Sequence, residues 1–243
     1  MDRVTVAALQ QMKRDGRKIV GVVAWDTQIA RIADRAGVDI VSVGDSVGVN
    51  LWGQPTETEV TLEEMLVVCK AVRRGVTRAL VSCDVPFGPA QEGTEASVGA
   101  ALRLMKEGGA DMVKIIGVAD AVGAMVRTGI PVFAEFHGSE APAGKLVEEA
   151  KRLEHAGASL LDFRHSGPAA GAAVVRAVSI PVIGGLGGGP WLDGRVRLAH
   201  TVIGYGAKWL DAKTQTYVNT AQLSLVAFTA LCADVRAGRQ IKG

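Results

Sequence analysis

The chain has 243 residues, of which 48% are hydrophobic and 21% charged, a composition typical of a globular protein that buries a sizeable core. Its net charge of +2, with no basic run longer than two residues, argues against nucleic acid or anionic lipid as a partner. No apolar stretch reaches 18 residues, and the N-terminal segment is too charged for a signal peptide, so we expect no membrane association. The three cysteines show no metal-binding spacing, which fits a reducing, cytoplasmic location.

Short apolar runs alternate with amphipathic segments along the chain. The apolar runs predict strands at 18–25, 38–45, 79–88, 111–117, 130–136, 159–165 and 180–189, with an eighth near 207–212. The amphipathic segments predict helices at 27–37, 61–75, 94–109, 143–157, 168–179 and 215–237, and a short helix that ends at Gly129. Buried strands that alternate with helices in this way form a parallel sheet covered on both faces.

Eight strand–helix units in about 250 residues predict an α/β fold of the TIM (β/α)8 barrel type. We expect one domain over residues 1–243 that ends in a C-terminal helix, because no linker or low-complexity tract interrupts the chain. An open doubly wound sheet is the alternative, and we disfavour it because the first strand is not followed by a GxGxxG turn.

Polar side chains occur where the predicted strands end, which in a TIM barrel is the face that carries the active site. They are Asp26, Asp45, Ser46, Asp84, Lys114, Glu135, His137, Arg164 and His165. Any one such residue is more often a helix cap or a loop anchor than a ligand. Two carboxylates from neighbouring strands, such as Asp45 and Asp84, can nevertheless hold Mg²⁺ or Mn²⁺ and leave positions for water and substrate oxygens.

A 2-oxo acid would suit such a metal site. Its carboxylate and keto oxygens would chelate the ion, which would stabilise the enolate formed when C3 loses a proton. Lys114 and the backbone N–H groups after Asp45 would help to hold the carboxylate of the acid.

Two further features belong to the same end of the predicted barrel. His137 and His165 follow strands and are the histidines best placed for acid–base work, whereas His155 and His200 lie on helices. The glycine-rich segment 184–190 matches neither the P-loop nor the dinucleotide-binding spacing. We interpret it as a tight loop over the barrel mouth rather than a phosphate site.

The chain contains, in order, the segments GVDIVSVGDSVG, VTLEEMLVVCKAVRRG, RALVSCDVPFG, ALRLMKEGGADMVKI and SIPVIGGLGGGPWLDGRV. This series resembles the ketopantoate hydroxymethyltransferases, from about residue 18 to residue 205. The resemblance implies a TIM barrel of the phosphoenolpyruvate mutase/isocitrate lyase superfamily and a homo-oligomer. It also implies a Mg²⁺-dependent condensation of the 3-methyl-2-oxobutanoate enolate with the one-carbon unit of methylenetetrahydrofolate.

The resemblance assigns roles to part of the site. It implies that Asp45 and Asp84 are the metal ligands. It further implies that Ser46 and Lys114 hold the carboxylate of the 2-oxo acid substrate. These residues stand in the segments that match the family most clearly.

The other half of the family's site is replaced in this chain. Ile116, in VKIIG, stands where the family has a metal-side Glu, and Glu135 stands where it has a His, with His137 two residues further on. Arg164 stands in place of the Glu that is the family's proposed base. The family's longer loop after strand five, with a GGYKVQGR-like segment, is missing. Since that loop lies near the one-carbon side of the site, the resemblance leaves the use of methylenetetrahydrofolate in doubt.

We therefore expect a Mg²⁺-dependent C–C bond-forming enzyme, like a hydroxymethyltransferase or an aldolase, with an altered base and electrophile side. The side chains expected to act in catalysis are Lys114, Glu135, His137 and Arg164. Two alternatives stay open: a lyase or decarboxylase of a dicarboxylic 2-oxo acid, and a non-catalytic barrel. The first lacks a candidate reactive cysteine, and the second gives no reason to keep Asp45, Asp84 and Lys114.

The Glu-to-Arg exchange reverses the charge at the place where the new bond would form. We predict that Arg164 binds an anionic group on the substrate or on the second reactant, because a guanidinium suits a carboxylate but cannot act as a base. The alternative is that Arg164 pairs with Glu135 or Asp162 and only neutralises the pocket. We also predict a poor ketopantoate synthase, since loss of a general base costs about 10²–10⁴-fold in rate.

Overall fold

Eight parallel strands close into a barrel in chain order. The computed structural model describes residues 2–138, 142–185, 187–213 and 215–240. The strands are β1 Ile19–Val23, β2 Ile40–Val43, β3 Leu80–Asp84, β4 Met112–Ile116, β5 Val132–His137, β6 Leu160–Arg164, β7 Val182–Gly184 and β8 Gly194–Leu198. The closed sheet confirms the predicted TIM barrel and rules out the open doubly wound sheet, which would have two edge strands.

The described residues form ten α-helices, of which seven were predicted; the N-terminal helix and two five-residue helices were not. The ten helices are α1 Val6–Arg14, α2 Thr27–Ala36, α3 Leu62–Gly75, α4 Phe87–Gln91, α5 Thr94–Lys106, α6 Ala119–Arg127, α7 Ala143–His155, α8 Pro168–Ala177, α9 Ala199–Ile203 and α10 Thr220–Arg236. Local signals set their starts: Thr61 and Glu64 form a capping box at α3, and Asp26 caps α2. The strand-end carboxylate of Asp26 is therefore a helix cap.

An apolar core fills the barrel at the N-terminal end of the strands. Each strand contributes one side chain to it: Ile19, Ile40, Leu80, Met112, Phe133, Leu160, Ile183 and Val196. Val4, Leu9 and Met12 pack against the same core, so α1, which the sequence analysis did not predict, plugs this end. Because strand side chains alternate, the residues two and four positions further along each strand point inward nearer the mouth.

The eighth strand was predicted at the wrong place. Residues Ala207–Leu210 form a 3-10 helix, and the last barrel strand is β8, with the sequence GRVRL. Two arginines interrupt its apolar residues, so it lacks the continuous apolar run by which the other strands are recognised. The C-terminal helix begins at Thr220 rather than at 215, with the Asn219 side chain accepting a hydrogen bond from Gln222 N–H.

The chain divides into two compact units, Met1–Arg197 and Leu198–Gly243. In the second unit, Asn219 Nδ2 donates to the Trp209 carbonyl at 3.0 Å, and no residue of α10 is buried. None of the helices in the described part of the chain is both long and apolar enough to cross a membrane. The expected organisation as one domain with a C-terminal helix stays a prediction.

Candidate active site

The turn after β2 places Asp45 and Ser46 beside the end of β3. The chain turns at Gly44, whose carbonyl accepts a hydrogen bond from the Trp25 indole N–H at 3.0 Å. A Cβ on Gly44 would lie 3.0 Å from Ser46 Oγ and 3.6 Å from Asp84 Oδ2. The turn and the Asp84 carboxylate are therefore in close proximity at the barrel mouth.

The two carboxylates of Asp45 and Asp84 are called here the aspartate pair. Burial disfavours the negative charge of both, and Lys114 opposes this effect only in part. Asp84 Oδ1 is buried and has no hydrogen-bond partner in the described part of the chain. Burial raises the pKa of Asp84 to about 7; Lys114 opposes this shift and Asp45 adds to it. Burial also raises the pKa of Asp45, again against the opposing charge of Lys114. A buried oxygen without a partner in the described part of the chain, in a site that disfavours negative charge, suits a cation ligand.

The donor set of the aspartate pair suits Mg²⁺ or Mn²⁺. Among the described residues, no three His, Cys, Asp or Glu side chains cluster in a way that could hold a metal ion. Mg²⁺ is commonly held by one or two carboxylates and completes its coordination with water and substrate oxygens. Two carboxylates at an open barrel mouth match this coordination preference of Mg²⁺, whereas a structural zinc site would need four protein ligands.

Four charged side chains from β4, β5 and β6 form a charge quartet of Lys114, Glu135, Asp162 and Arg164. Lys114 Nζ contacts Glu135 Oε2 and lies 3.1 Å from Asp162 Oδ2. Arg164 Nη1 donates to Glu135 Oε1 at 2.6 Å. Glu135 and Asp162 expose only 6% and 3% of their side chains, so their charges depend on these partners.

The pKa values of Glu135 and Lys114 in the charge quartet shift in the directions that keep both groups charged. Burial alone would raise the pKa of Glu135, but Lys114 and Arg164 outweigh burial and lower it to about 2. Burial alone would lower the pKa of the Lys114 ammonium, but nearby carboxylates, above all Asp84 and Asp162, raise it well above its usual value. Lys114 can therefore hold an anion but cannot act as a base, and Glu135 is a weak base.

His137 lies at the open end of β5, next to the charge quartet. Its Nε2 is 3.0 Å from Glu135 Oε1, and 46% of its side chain is exposed. The ring of His165, a residue with φ of 55°, lies 6.1 Å from the ring of His137. When Nε2–H faces Glu135, Nδ1 carries the lone pair of the neutral imidazole. His137 can then accept a proton while Glu135 stabilises the resulting cation.

Comparison with known proteins places this chain in a family. Residues 3–240 match the model of the family described as Ketopantoate hydroxymethyltransferase. The chain belongs to this family. A 3-methyl-2-oxobutanoate hydroxymethyltransferase from Cyanothece sp. is 36% identical to it over 96% of this chain and 96% of the relative. The expectation of a ketopantoate hydroxymethyltransferase-type enzyme is confirmed.

Solved structures of other enzymes share the fold of this family member. Phosphoenolpyruvate phosphomutase from Streptomyces platensis subsp. rosaceus matches with a TM-score of 0.65 and 14% identity, over 97% of this chain and 88% of that one. A 2,3-dimethylmalate lyase, described as a PEP mutase/isocitrate lyase superfamily member, matches with a TM-score of 0.62 and 16% identity, over 82% of each chain. At these identities the likeness shows the fold alone.

The positions at which the sequence analysis predicts a departure from the family pattern lie together: Ile116 and Glu135 are register partners, and Glu135 contacts Arg164. Glu135 and Arg164 form an ion pair, so each compensates the charge of the other. Ile116 ends β4 at the mouth with 61% of its surface exposed, and it puts an apolar group there. The missing loop after β5 stays a prediction, and residues 139–141 of this segment lie outside the described residues.

The sequence analysis did not identify Asp162 as a site residue. It precedes Arg164 by two positions on β6, so strand alternation puts both side chains on the inner face, and this signal was available. Asp162 pairs with Lys114 rather than Arg164, and its Oδ1 accepts a hydrogen bond from Gly185 N–H at 2.7 Å. That bond ties the charge quartet to the glycine-rich segment 184–190, of which Leu186 lies outside the described residues.

Proposed function

We propose that this chain is a cytoplasmic, Mg²⁺- or Mn²⁺-dependent transferase that forms a C–C bond at C3 of a 2-oxo acid by way of the acid's enolate. The observation that carries the proposal is the buried, unpartnered Oδ1 of Asp84 beside the Asp45–Ser46 turn, within the described part of the chain. Packing alone gives no reason to bury such an oxygen, whereas a cation would be its partner. Membership of the family supports the reaction class.

The aspartate pair would hold the cation, which would polarise the keto oxygen of the acid as a Lewis acid. Lys114 has three N–H donors, and two of them are directed at Glu135 and Asp162. The third would hold the carboxylate of the 2-oxo acid, together with the Ser46 hydroxyl at the turn. The acid would then lie between the aspartate pair and the charge quartet, with C3 toward the open side of the mouth.

We assign proton removal from C3 to His137. Glu135 was expected to act in catalysis, but Lys114 and Arg164 occupy its oxygens, and its pKa of about 2 makes it a poor proton acceptor. The role of Glu135 is to orient the His137 imidazole and to stabilise the cation that forms when His137 Nδ1 takes the proton. Because 46% of the His137 side chain is exposed, a substrate can contact the imidazole without a movement of β5.

The electrophile side differs from the family pattern. We propose that methylenetetrahydrofolate is a poor one-carbon donor for this chain, because the sequence has no counterpart of the family's longer loop after strand five, which lies near the one-carbon side of the site. Turnover of 3-methyl-2-oxobutanoate with methylenetetrahydrofolate should then fall well below the usual enzymatic range of about 1–10³ s⁻¹. Ketopantoate formation, followed directly, measures it. Turnover within that range would refute the altered electrophile side and leave the rest of the proposal intact.

The enolate half of the proposal is tested by deuterium exchange at C3 of 2-oxo acids in D₂O, followed by NMR. The wild-type protein should exchange only with Mg²⁺ or Mn²⁺ present, and Asp84→Asn should abolish the exchange. Asp120→Asn, on the exposed start of α6, is the matched control and should exchange like the wild type. If the metal-loaded wild type exchanges none of the acids, the proposal is wrong.

We also propose that the chain forms a homo-oligomer. The large apolar side chains exposed on α10 are Leu223, Leu225, Val226, Phe228, Leu231 and Val235. A helix that is apolar on all sides is normally covered, and a second copy of the chain is always available to cover it. Light scattering coupled to gel filtration should give a mass that is a multiple of 25.3 kDa. A monomer at micromolar concentration would contradict this.

A further inference from the structure

We infer that Arg164 recognises a second carboxylate on the 2-oxo acid, so that the preferred substrate is dicarboxylic. The inference rests on the proposed function, because Arg164 would act on the same bound acid as Lys114. It goes beyond that function in naming the substrate class and the residue that selects it.

Arg164 has hydrogen-bond donors that its protein partner does not use. A guanidinium carries five N–H donors. In the described part of the chain, Arg164 directs Nη1 to Glu135 Oε1 at 2.6 Å, while its Nε is buried without a partner. The side chain as a whole is 26% exposed. A ligand would therefore meet the Nη groups, which suit a carboxylate.

The bond between Arg164 and Glu135 is a shared one. Glu135 Oε1 also lies 3.0 Å from His137 Nε2, and Oε2 of the same carboxylate is taken by Lys114. One carboxylate thus serves two permanent cations and a histidine. Arg164 is consequently less fully satisfied than a guanidinium with a carboxylate of its own, and an incoming anion would add a partner without displacing Glu135.

The spacing of the two cations favours the substrate over a second reactant as the source of that anion. Lys114 and Arg164 bind the two oxygens of a single carboxylate, so they flank one small group. If Lys114 holds the C1 carboxylate, a carboxylate a few carbons further along the same molecule reaches Arg164. An independent anion would have to bind Arg164 beside the acid already held by Lys114.

The end of β6 holds Arg164 in place. The Arg164 carbonyl accepts a hydrogen bond from Gly138 N–H at 3.2 Å, which links β6 to the end of β5. Behind it, the rings of Phe136 and Phe163 stack with centroids 4.5 Å apart. A ligand-binding side chain at the end of a hydrogen-bonded strand is positioned more precisely than one on a loop.

The test compares acids that differ only in the second carboxylate. We would measure deuterium exchange at C3 for 2-oxoglutarate against 2-oxopentanoate, and for oxaloacetate against 2-oxobutanoate, with Mg²⁺ and with subtraction of the uncatalysed rate. Exchange breaks the C3–H bond, passes the proton to His137 and returns a deuteron from solvent to C3, so no second reactant is needed. The variants are Arg164→Gln and Arg164→Lys, with Arg31→Gln on the exposed side of α2 as the control.

We expect the wild type to favour the dicarboxylic member of at least one pair by roughly 10–100-fold in kcat/KM, the range for a hydrogen bond to a charged group. Arg164→Gln should remove the preference, Arg164→Lys should keep part of it, and Arg31→Gln all of it. Equal wild-type rates within both pairs, or an Arg164→Gln variant that slows both members equally, would overturn the inference but leave the proposed function standing. No exchange with any acid would overturn both.

Discussion

Lys114 and Asp162 form a buried ion pair, with Nζ 3.1 Å from Oδ2 and 14% of the lysine side chain exposed. Glu135 contacts the same ammonium from the other side, so two carboxylates hold Lys114. Asp84, together with these two carboxylates, keeps the pKa of Lys114 well above the usual value despite burial. The lysine is therefore a permanent positive charge at a fixed point of the barrel mouth, suited to binding an anionic substrate group.

Removal of the Asp162 charge should destabilise the fold. Asp162→Asn should lower the free energy of unfolding by about 3 kcal/mol, the low end of the range for a broken buried ion pair, because Lys114 keeps Glu135 as a partner. The amide oxygen can still accept the Gly185 N–H. Urea unfolding measures the difference, and Asp120→Asn should stay within about 0.5 kcal/mol of the wild type. Equal stability of all three proteins would mean that the pair contributes nothing.

Divalent metal should depend on the aspartate pair. Asp45→Asn and Asp84→Asn should each weaken Mg²⁺ or Mn²⁺ binding by more than about 10–100-fold, since even the loss of a group that only supports a ligand costs that much. Calorimetry in the presence of a 2-oxo acid measures the affinity. Asp120→Asn is again the matched control. Unchanged affinity in both aspartate-pair variants would remove the metal site from the proposal.

Asp84→Asn should stabilise the metal-free protein. Asp84 carries a buried oxygen without a partner in the described part of the chain, and burial raises its pKa to about 7. Asp84→Asn removes a charge that the fold disfavours, so the metal-free variant should be more stable by about 1 kcal/mol at pH 8. Added Mg²⁺ should raise the melting temperature of the wild type but not of the variant. A less stable metal-free variant would contradict the assignment of Asp84 as a cation ligand.

His137 should be required for proton removal and dispensable for folding. His137→Gln should lower the rate of C3 deuterium exchange by about 10²–10⁴-fold, the usual contribution of a general base. Its melting temperature should stay near that of the wild type because the side chain is 46% exposed. His155→Gln, at the exposed end of α7, is the control histidine. Exchange at the wild-type rate in His137→Gln would assign the proton to another group.

Asp34 should make part of the stability dependent on acid pH. Its carboxylate accepts hydrogen bonds from Thr77 N–H at 2.9 Å and Ala79 N–H at 2.7 Å. Burial alone would raise the pKa of Asp34, but these hydrogen bonds outweigh burial and lower it. A lowered folded-state pKa means that the stabilisation is complete above the unfolded-state value of about 4 and is lost as the pH falls through the folded-state value.

Asp34→Ala should therefore cost about 2–3 kcal/mol at pH 7, because it leaves backbone donors without an acceptor. The difference from the wild type should shrink as the pH is lowered below about 4. Unfolding by urea at several pH values measures it, with Asp2→Asn as an exposed control. A difference that stays constant down to the acid transition would show that the charge of Asp34 is not involved.

The sequence by itself determined the barrel and the places where chemistry could occur. Apolar runs of strand length between amphipathic helices are local patterns, and the end of each run marks a position at the barrel mouth whatever the neighbouring strand is. Asp45, Asp84, Lys114, Glu135, His137 and Arg164 were found in this way. β8 was not found, since two arginines interrupt its apolar residues. α1 was not found either, and Leu9 and Met12 of this helix pack against the core at the N-terminal end of the strands.

Only the tertiary structure decided which charges meet. Glu135 and Asp162 face each other across neighbouring strands, in register, and Lys114 reaches both from β4. The register of a parallel sheet depends on packing along the whole barrel, so the partners of a charged side chain cannot be read from its own segment. The pairing changes the chemistry, because it turns Glu135 from a candidate base into the anion that holds Lys114, Arg164 and His137 together.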